Sequence, residues 1–225
     1  MAPAEDDHRR RFLALAVRAQ ALRFGEFSLK SGRLSPYFFN AGRFDGGVAL
    51  SVLAGCYADA IDAAGVEFDC LFGPAYKGIP LAAALACEYA RRGHDLPLAY
   101  NRKEAKAHGE GGTLVGAPLE GRRVLVVDDV ITAGTAVREA LATVAAAGGT
   151  TAALAIALDR QEAVSEADPR SAAQALADDA GLAVVAVATL DDLLAFAGES
   201  RDLVAQREPL LAYRARYGCS RGAAA

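Results

Sequence analysis

Two adjacent carboxylates mark the stretch of this sequence whose residue types are best suited to chemistry. Asp128 and Asp129 follow an apolar run at 124–127, and a turn of small and hydroxyl-bearing residues follows at 132–135. Carboxylates accept hydrogen bonds from sugar hydroxyls, whereas the free N–H groups of a small-residue turn before a helix favour a phosphate. Together they predict a site for a ligand that carries both groups, and a phosphorylated ribose has both.

The elements on either side of these residues indicate how they are positioned. The run at 124–127 is apolar without interruption, which predicts a strand covered on both faces in a parallel sheet. An alanine-rich pattern at 137–147 predicts the helix that follows. Ligands of open α/β sheets bind at the carboxyl ends of the strands, which is where both acids fall. Each feature alone is also typical of a core strand or a helix cap, so their order carries the prediction.

Two common nucleotide-binding motifs are absent from the sequence. The G-x-x-x-x-G-K-[ST] pattern of a P-loop does not occur. The glycine cluster at 109–112 does not match a dinucleotide fingerprint, because Leu114 stands where the third glycine would be needed. The sequence also presents no Ser/His/Asp or Cys/His arrangement that would indicate a covalent nucleophile.

Apolar runs and amphipathic patterns alternate along the rest of the chain. They predict further strands at 27–30, 37–40, 68–72, 98–102, 152–158 and 183–188, and helices at 7–22, 46–64, 79–92, 190–196 and 203–217, with a polar and then helical stretch at 164–180. This alternation predicts one α/β domain over 1–225, with a doubly wound, mostly parallel central sheet flanked by helices.

The overall composition argues against several classes of protein. The net charge is -4 and the pI about 5.5, so the chain lacks the basic footprint of a nucleic-acid-binding protein. No apolar run approaches the roughly 20 residues that cross a bilayer, and the N-terminus has no secretory pattern. The four cysteines are scattered without metal-type spacing, which is typical of a reducing compartment. We therefore expect a cytoplasmic protein that binds neither nucleic acid nor membranes.

Residues 124–136 resemble the signature with which type I phosphoribosyltransferases bind phosphoribosyl diphosphate (PRPP). Further segments narrow the resemblance to the bacterial orotate phosphoribosyltransferase family. They lie, in the order of the family, at 24–33, 35–42, 71–80, 101–106 and 108–112. The resemblance extends over 11–217, which is nearly the whole chain.

The resemblance implies an enzyme that transfers the ribose 5-phosphate group of PRPP to orotate, giving orotidine 5′-monophosphate and pyrophosphate. It also implies Mg²⁺, bound mainly through PRPP and water with few or no direct side-chain ligands, and a homodimer in which Lys103 acts in the neighbouring subunit's site. A hood formed mainly by 1–45, with C-terminal contributions, would cover the base. A flexible lid at about 103–113 would exclude water, because a cationic sugar is otherwise hydrolysed.

The family's functional residues carry over to positions that match its motifs. Catalytic roles are implied for Asp128, Asp129, Lys103, Lys106 and His108. PRPP contacts are implied for Lys30, Tyr76, Lys77, Arg102, Lys103, Lys106, His108, Asp128, Asp129, Val130, Ile131, Thr132, Ala133, Gly134, Thr135 and Ala136. Orotate contacts are implied for Lys30, Phe38, Phe39, Thr132 and Arg160.

Elementary chemistry supports several of these roles. The planar fork of Arg160 suits a carboxylated pyrimidine, and the basic residues of the lid can neutralise a departing pyrophosphate. Phe38 and Phe39 are adjacent on a strand, so they point to opposite faces and at least one is available to a ligand. By resemblance we also expect a cis peptide between Ala75 and Tyr76.

Two alternatives stay open at the level of sequence. One is a phosphoribosyltransferase that acts on another base, and the other is a PRPP-sensing regulator that has lost catalysis. The hood residues Lys30, Phe38 and Phe39 and the long basic lid count against another base. A regulator would need a DNA-binding module and could dispense with the lid.

Overall fold

The computed structural model of the protein describes residues 7–29, 31–104, 113–131 and 134–219. Its centre is a six-stranded sheet with the strand order β5-β4-β3-β6-β7-β8. The strands are β3 (Cys70–Gly73), β4 (Leu98–Asn101), β5 (Leu114–Gly116), β6 (Arg123–Asp128), β7 (Thr150–Asp159) and β8 (Ala183–Thr189). Neighbouring strands are parallel except β5, which pairs antiparallel with β4. The predicted α/β fold with a mostly parallel sheet is confirmed.

Helices cover both faces of this sheet. They are α1 (His8–Arg18), α2 (Gly47–Ala63), α3 (Gly78–Arg91), α4 (Thr135–Ala146), α5 (Ala172–Ala180), α6 (Leu190–Glu199) and α7 (Val204–Tyr217), with a short 3-10 helix at Ala41–Arg43. Helices α1, α2, α3, α6 and α7 contribute to the core on one face, and α4 and α5 to the core on the other. None of the described helices has both the length and the apolar character that crossing a membrane requires.

The central strand β6 joins the two cores. Leu125 and Val127 belong to one core and Val124 and Val126 to the other, and all four are completely buried. An uninterrupted apolar run is the pattern of a strand that lies between two layers of helices, because successive side chains point to opposite faces. The predicted interior strand at 124–127 is therefore confirmed.

A separate two-stranded antiparallel sheet precedes the central one. It consists of β1 (Leu22–Ser28) and β2 (Leu34–Phe39), with an irregularity in register between Phe24 and Phe27. The hairpin contacts α1 and α7 through aromatic pairs: Phe39 lies 5.9 Å from Phe12, and Tyr37 lies 6.2 Å from Tyr213. This is the segment for which the family resemblance predicts a hood.

The first helix is shorter than the pattern predicts. The predicted helix at 7–22 ends at Arg18, and Gln20 adopts a left-handed conformation with φ of 56°. Ala21 and Leu22 are nevertheless buried, because the chain enters the same core as the strand β1. The apolar pattern of α1 thus continues into the first residue of β1, so the sequence gives no sign of where the helix ends. This explains why β1 begins earlier than the strand predicted at 27–30.

The short strand β5 was not predicted. It has three residues, too few for an alternation to be recognised, and it owes its place to pairing with β4. Gly116 is required there: its φ is 100°, and a Cβ atom would lie 2.3 Å from the carbonyl oxygen of Leu98.

Candidate active site

The loops that follow three parallel strands meet at one edge of the sheet. Strand β6 pairs with β3 on one side and with β7 on the other, so the segments after Gly73, Asp128 and Asp159 leave the sheet at the same edge. This is the carboxyl edge, where open α/β sheets bind their ligands. The three segments carry most of the described residues to which the sequence assigns a function.

The two central acids lie at this edge, almost buried. Asp128 is the last residue of β6, and the two residues are 9% and 6% exposed. The Oδ1 atom of Asp128 accepts a hydrogen bond from the backbone N–H of Asp129 at 2.9 Å, and the Oδ1 atom of Asp129 accepts one from Val130 at 2.9 Å. Nζ of Lys77 donates to Oδ2 of Asp129 at 2.6 Å. This ion pair joins the loops after β3 and β6.

Burial makes the charge of Asp128 costly. Desolvation, followed by the neighbouring negative charge of Asp129, raises the pKa of Asp128 to about 6. The ammonium group of Lys77 only partly offsets these effects. A positive charge that grows on a ligand nearby would be stabilised by the two carboxylates.

A tyrosine that the sequence analysis missed binds the backbone of the acid pair, Asp128 and Asp129. Tyr57, in the middle of α2, is buried and donates its hydroxyl hydrogen to the backbone carbonyl oxygen of Asp128 at 2.7 Å. On the other side, the N–H of Ala157 donates to the carbonyl oxygen of Asp129 at 2.8 Å. Nothing in the sequence indicates the role of Tyr57, because an aromatic residue in an apolar helix reads as ordinary core.

The loop after β3 has an unusual backbone. The peptide bond between Ala75 and Tyr76 is cis, which confirms the prediction. The N–H of Ala75 donates to Oδ1 of Asn101 at 2.8 Å, so the last residue of β4 holds this loop. Sequence analysis also missed Asn101, because its partner Ala75 lies in the loop that follows the neighbouring strand β3. The loop packs closely: a Cβ atom on Gly78 would lie 2.6 Å from the carbonyl oxygen of Val127.

Tyr76 and Lys103 come together at the outer side of this loop. Tyr76 is 68% exposed, and Nζ of Lys103 lies 4.9 Å from the centre of its ring. Arg102 lies at the root of the predicted lid, where its N–H donates to the carbonyl oxygen of Thr113 at 2.7 Å. The lid residues 105–112, with Lys106 and His108, lie outside the described residues.

The predicted phosphate turn leads directly into α4. Gly134 precedes the helix with φ of 72°, and Thr135 is its first residue. The N-terminus of a helix offers free N–H groups and the positive end of the helix dipole. Ile131 is buried, whereas Thr135 and Ala136 are exposed. Thr132 and Ala133 lie outside the described residues, as does Lys30 of the hairpin.

The two phenylalanines of the hairpin point to opposite faces, as predicted. Phe39 is buried in the core beside Phe12, whereas Phe38 is half-buried and packs against Phe27 at 5.5 Å. Their proposed contacts with orotate stay a prediction, and the burial of Phe39 leaves mainly its backbone for such a contact.

Arg160 follows β7 and is largely buried, with 14% of its side chain exposed. Its guanidinium lies 2.6 Å from the Glu162 carboxylate and 4.5 Å from the centre of the Tyr37 ring. The pKa of Arg160 is raised: burial would lower it, but the facing Tyr37 and Glu162 outweigh that effect. An arginine held in this way is charged at every physiological pH and suits an anionic ligand.

The donor set at this edge was compared with the needs of a divalent cation. In the described ranges, no group of three or more histidine, cysteine, aspartate or glutamate residues could hold a metal ion. Asp129 is already paired with Lys77, which leaves Asp128 and the second oxygen of Asp129 as the available acidic groups. Mg²⁺ commonly binds through one or two carboxylates, waters and the phosphates of a substrate. These residues fit a Mg²⁺ ion that is bound chiefly by the phosphates of a substrate, with the two aspartates beside it.

Comparisons with known proteins agree over most of the chain. Residues 49–173 match the phosphoribosyl transferase domain family. An orotate phosphoribosyltransferase of Xanthomonas campestris is 74% identical over 212 residues, which cover 94% of this chain and 97% of the relative. The corresponding protein of Stenotrophomonas maltophilia is 68% identical with the same coverage. The crystal structure of orotate phosphoribosyltransferase from Francisella tularensis superimposes with a TM-score of 0.82 at 40% identity, over 92% of this chain and 98% of that one.

Proposed function

The chain belongs to the orotate phosphoribosyltransferase family, and we propose that it transfers the ribose 5-phosphate group of PRPP to orotate. The products are orotidine 5′-monophosphate and pyrophosphate. The protein is thus a pentosyltransferase of pyrimidine biosynthesis. The observation that carries this conclusion is the 74% identity with a named relative over 94% of the chain, a span that includes the hairpin as well as the sheet.

The geometry supports a defined role for each loop at the carboxyl edge. Asp128 and Asp129 would accept hydrogen bonds from the ribose hydroxyls and stabilise the positive charge that develops on the sugar. Such charge is expected, because glycosyl transfer passes through an oxocarbenium-like transition state. The N-terminus of α4 would hold the 5′-phosphate, and Lys77 would lie beside the pyrophosphate.

We also propose Mg²⁺ as the cofactor, with PRPP and water as its main ligands and the acid pair beside it. When bound, it would neutralise negative charge on the pyrophosphate as that group leaves. Lys77 is the protein's own cation at this position, and its ion pair with Asp129 keeps its ammonium group at the site before PRPP arrives.

The lid and the assembly belong to the same proposal. Lys103, Lys106 and His108 would close over the pyrophosphate and exclude water, with Lys103 reaching the site of a second subunit in a homodimer. Within one subunit Nζ of Lys103 lies 4.9 Å from the centre of the Tyr76 ring, so this side chain has to leave that ring in order to reach a second subunit. We further propose that the enzyme works in the cytoplasm, in keeping with its four free cysteines.

The proposal is tested by the loss of orotate absorbance when PRPP and Mg²⁺ are added to the purified protein. Uracil and hypoxanthine are measured in parallel, and a reaction without Mg²⁺ tests the cofactor. We expect consumption of orotate alone. Turnover of another base without orotate would contradict the choice of base but keep the PRPP site. Binding of PRPP without turnover of any base would favour a PRPP-sensing regulator.

A further inference from the structure

The guanidinium of Arg160 is fixed by its surroundings, with one nitrogen left over. Its Nε and Nη2 atoms lie 2.7 Å and 2.6 Å from the same oxygen of Glu162, and Nη2 also donates to Oγ of Ser35 at 3.3 Å. Tyr37 covers one face of the group. The contacts of Arg160 with the described residues use Nε and Nη2, and none of them uses Nη1. Glu162 therefore determines which edge of Arg160 is available to a ligand.

Glu162 is itself held in place from two sides. Its side chain is 15% exposed and accepts a hydrogen bond from the hydroxyl of Tyr213 at 2.9 Å. Arg33 of the hairpin approaches its second oxygen at 3.5 Å. The carboxylate is thus shared between two arginines and a tyrosine, so it is fully engaged, and the cluster keeps a net positive charge.

The backbone around Glu162 is tied to the C-terminal helix. Glu162 pairs with Gly218 in an isolated antiparallel bridge. The N–H of Ala163 donates to the carbonyl oxygen of Tyr217 at 2.9 Å, and the N–H of Cys219 donates to that of Gln161 at 2.7 Å. The loop after β7 is therefore held as a strand against the end of α7. Glu162 therefore has a fixed backbone, although it lies in a loop, and can hold Arg160 in one position.

We propose that Glu162 is a positioning residue for orotate recognition: it holds Arg160 so that Nη1 faces the base. This inference rests on the proposed function, in which Arg160 contacts orotate. Without the Glu162 carboxylate, the buried guanidinium would lose its ionic partner, and removing one partner of a buried pair is strongly unfavourable. Arg160 would then turn towards solvent or Ser35, and the affinity for orotate would fall. PRPP binds at the loops after β3 and β6, so its affinity would be preserved.

The test is Glu162→Gln, which keeps the shape of the side chain and removes its charge. We expect the KM for orotate to rise about five-fold or more, while the KM for PRPP changes by less than about two-fold. Tyr213→Phe removes one hydrogen bond to Glu162 and should raise the KM for orotate by about two- to three-fold. It serves as the decisive variant if Glu162→Gln does not fold, as judged by circular dichroism.

Glu88→Gln is the matched control. Glu88 is also a buried glutamate that binds arginines, with contacts of 2.7 Å to Arg91 and 2.8 Å to Arg92, but it lies at the far end of α3. Its substitution should lower stability and leave both KM values unchanged. If both KM values rise together in Glu162→Gln, or if Glu88→Gln shows the same pattern, the positioning role is overturned.

Arg160→Ala separates the inference from the proposed function. If Arg160→Ala leaves the KM for orotate unchanged, the proposed contact between Arg160 and orotate is wrong. If Arg160→Ala raises this KM but Glu162→Gln and Tyr213→Phe do not, only the positioning role is overturned. A lower KM for orotate in Glu162→Gln would also overturn it, because Glu162 would then act as a charge that repels orotate.

Discussion

Asp128 is ionised at neutral pH at the expense of stability. Its pKa is raised from 3.8 to about 6, so the folded state binds a proton more tightly than the unfolded chain does. The stability linked to this group is fully present below pH 3.8 and is lost as the pH rises through about 6. Because the charge of Asp128 lowers the stability of the fold at neutral pH, the carboxylate is better explained by a role in the site.

Asp128→Asn should therefore stabilise the protein in a pH-dependent way. An asparagine keeps the acceptor for the N–H of Asp129 and removes the charge. At pH 8 we expect the free energy of unfolding to rise by up to about 3 kcal/mol, and at pH 4 the gain should fall below about 1 kcal/mol. Urea denaturation at both pH values measures the effect. Asp129→Asn should give a smaller gain, because it removes only the neighbouring charge and leaves Lys77 without its ionic partner. An equal change at both pH values would contradict the raised pKa.

The hydroxyl of Tyr57 should matter more for the site than for the fold. Tyr57→Phe leaves the buried carbonyl of Asp128 without this donor, which we expect to cost about 1–2 kcal/mol of stability and to raise the KM for PRPP. Tyr89→Phe is the control, since Tyr89 is also buried and donates to Asp62 at 2.9 Å, but far from the carboxyl edge. It should leave the KM unchanged and cost less stability, because the Asp62 carboxylate is half-exposed and also binds Arg92. Equal KM values in both variants would show that Tyr57 is only structural.

At the scale of elements, the repeated order of strand, turn and helix produces the site. The turn after β3 and the turn after β6 lie side by side because their strands are neighbours in the sheet. Gly78 lets the start of α3 pack against the end of β6, since a Cβ atom there would lie 2.5 Å from Cδ of Pro74 and 2.6 Å from the carbonyl oxygen of Val127. The proximity of Lys77 and Asp129 is a consequence of this packing.

Gly78→Ala is expected to push the start of α3 away from β6 and so to distort the loop that carries Lys77. Overpacking of this kind costs about 1–3 kcal/mol, and because the atoms in the way include backbone, we expect the upper part of that range. Thermal unfolding measures the stability, and PRPP binding measures the site. Gly47→Ala, at the start of α2 with open space around its Cβ position, is the control and should not destabilise. Normal PRPP binding by a fully stable Gly78→Ala protein would contradict this account.

These elements also show which parts of the structure a sequence can predict. The strand at 124–127 and the helix after it were predictable because their patterns are local. The end of α1 was predicted wrongly because Ala21 and Leu22 stay apolar in the next element. Tyr57 and Asn101 were missed because they act on residues 71 and 26 positions away along the chain. Contacts of that kind depend on the order of strands, and no local pattern encodes them.

At the scale of the whole molecule, catalysis is proposed to need two chains. Mixing a Lys103→Ala protein with an Asp128→Asn, Asp129→Asn protein tests this directly. Each variant alone should be nearly inactive, because one lacks the lid lysine and the other the acid pair. In a hybrid dimer one site would combine an intact acid pair with an intact Lys103, so activity should return. Hybrids that form, as shown by native mass spectrometry, but stay inactive would contradict a shared site.

The hydrogen bond between the N–H of Arg102 and the carbonyl oxygen of Thr113 fixes a length scale for that assembly. Lys103 follows this bond directly, so its ammonium group is tethered within a radius on the order of 10 Å around the backbone of Arg102. A second subunit that uses Lys103 must bring the pyrophosphate of its bound PRPP within reach of this ammonium group. The short reach of Lys103 therefore limits how two subunits can be arranged. For a shared site, the two-fold axis has to pass close to the edge of the sheet that carries Tyr76.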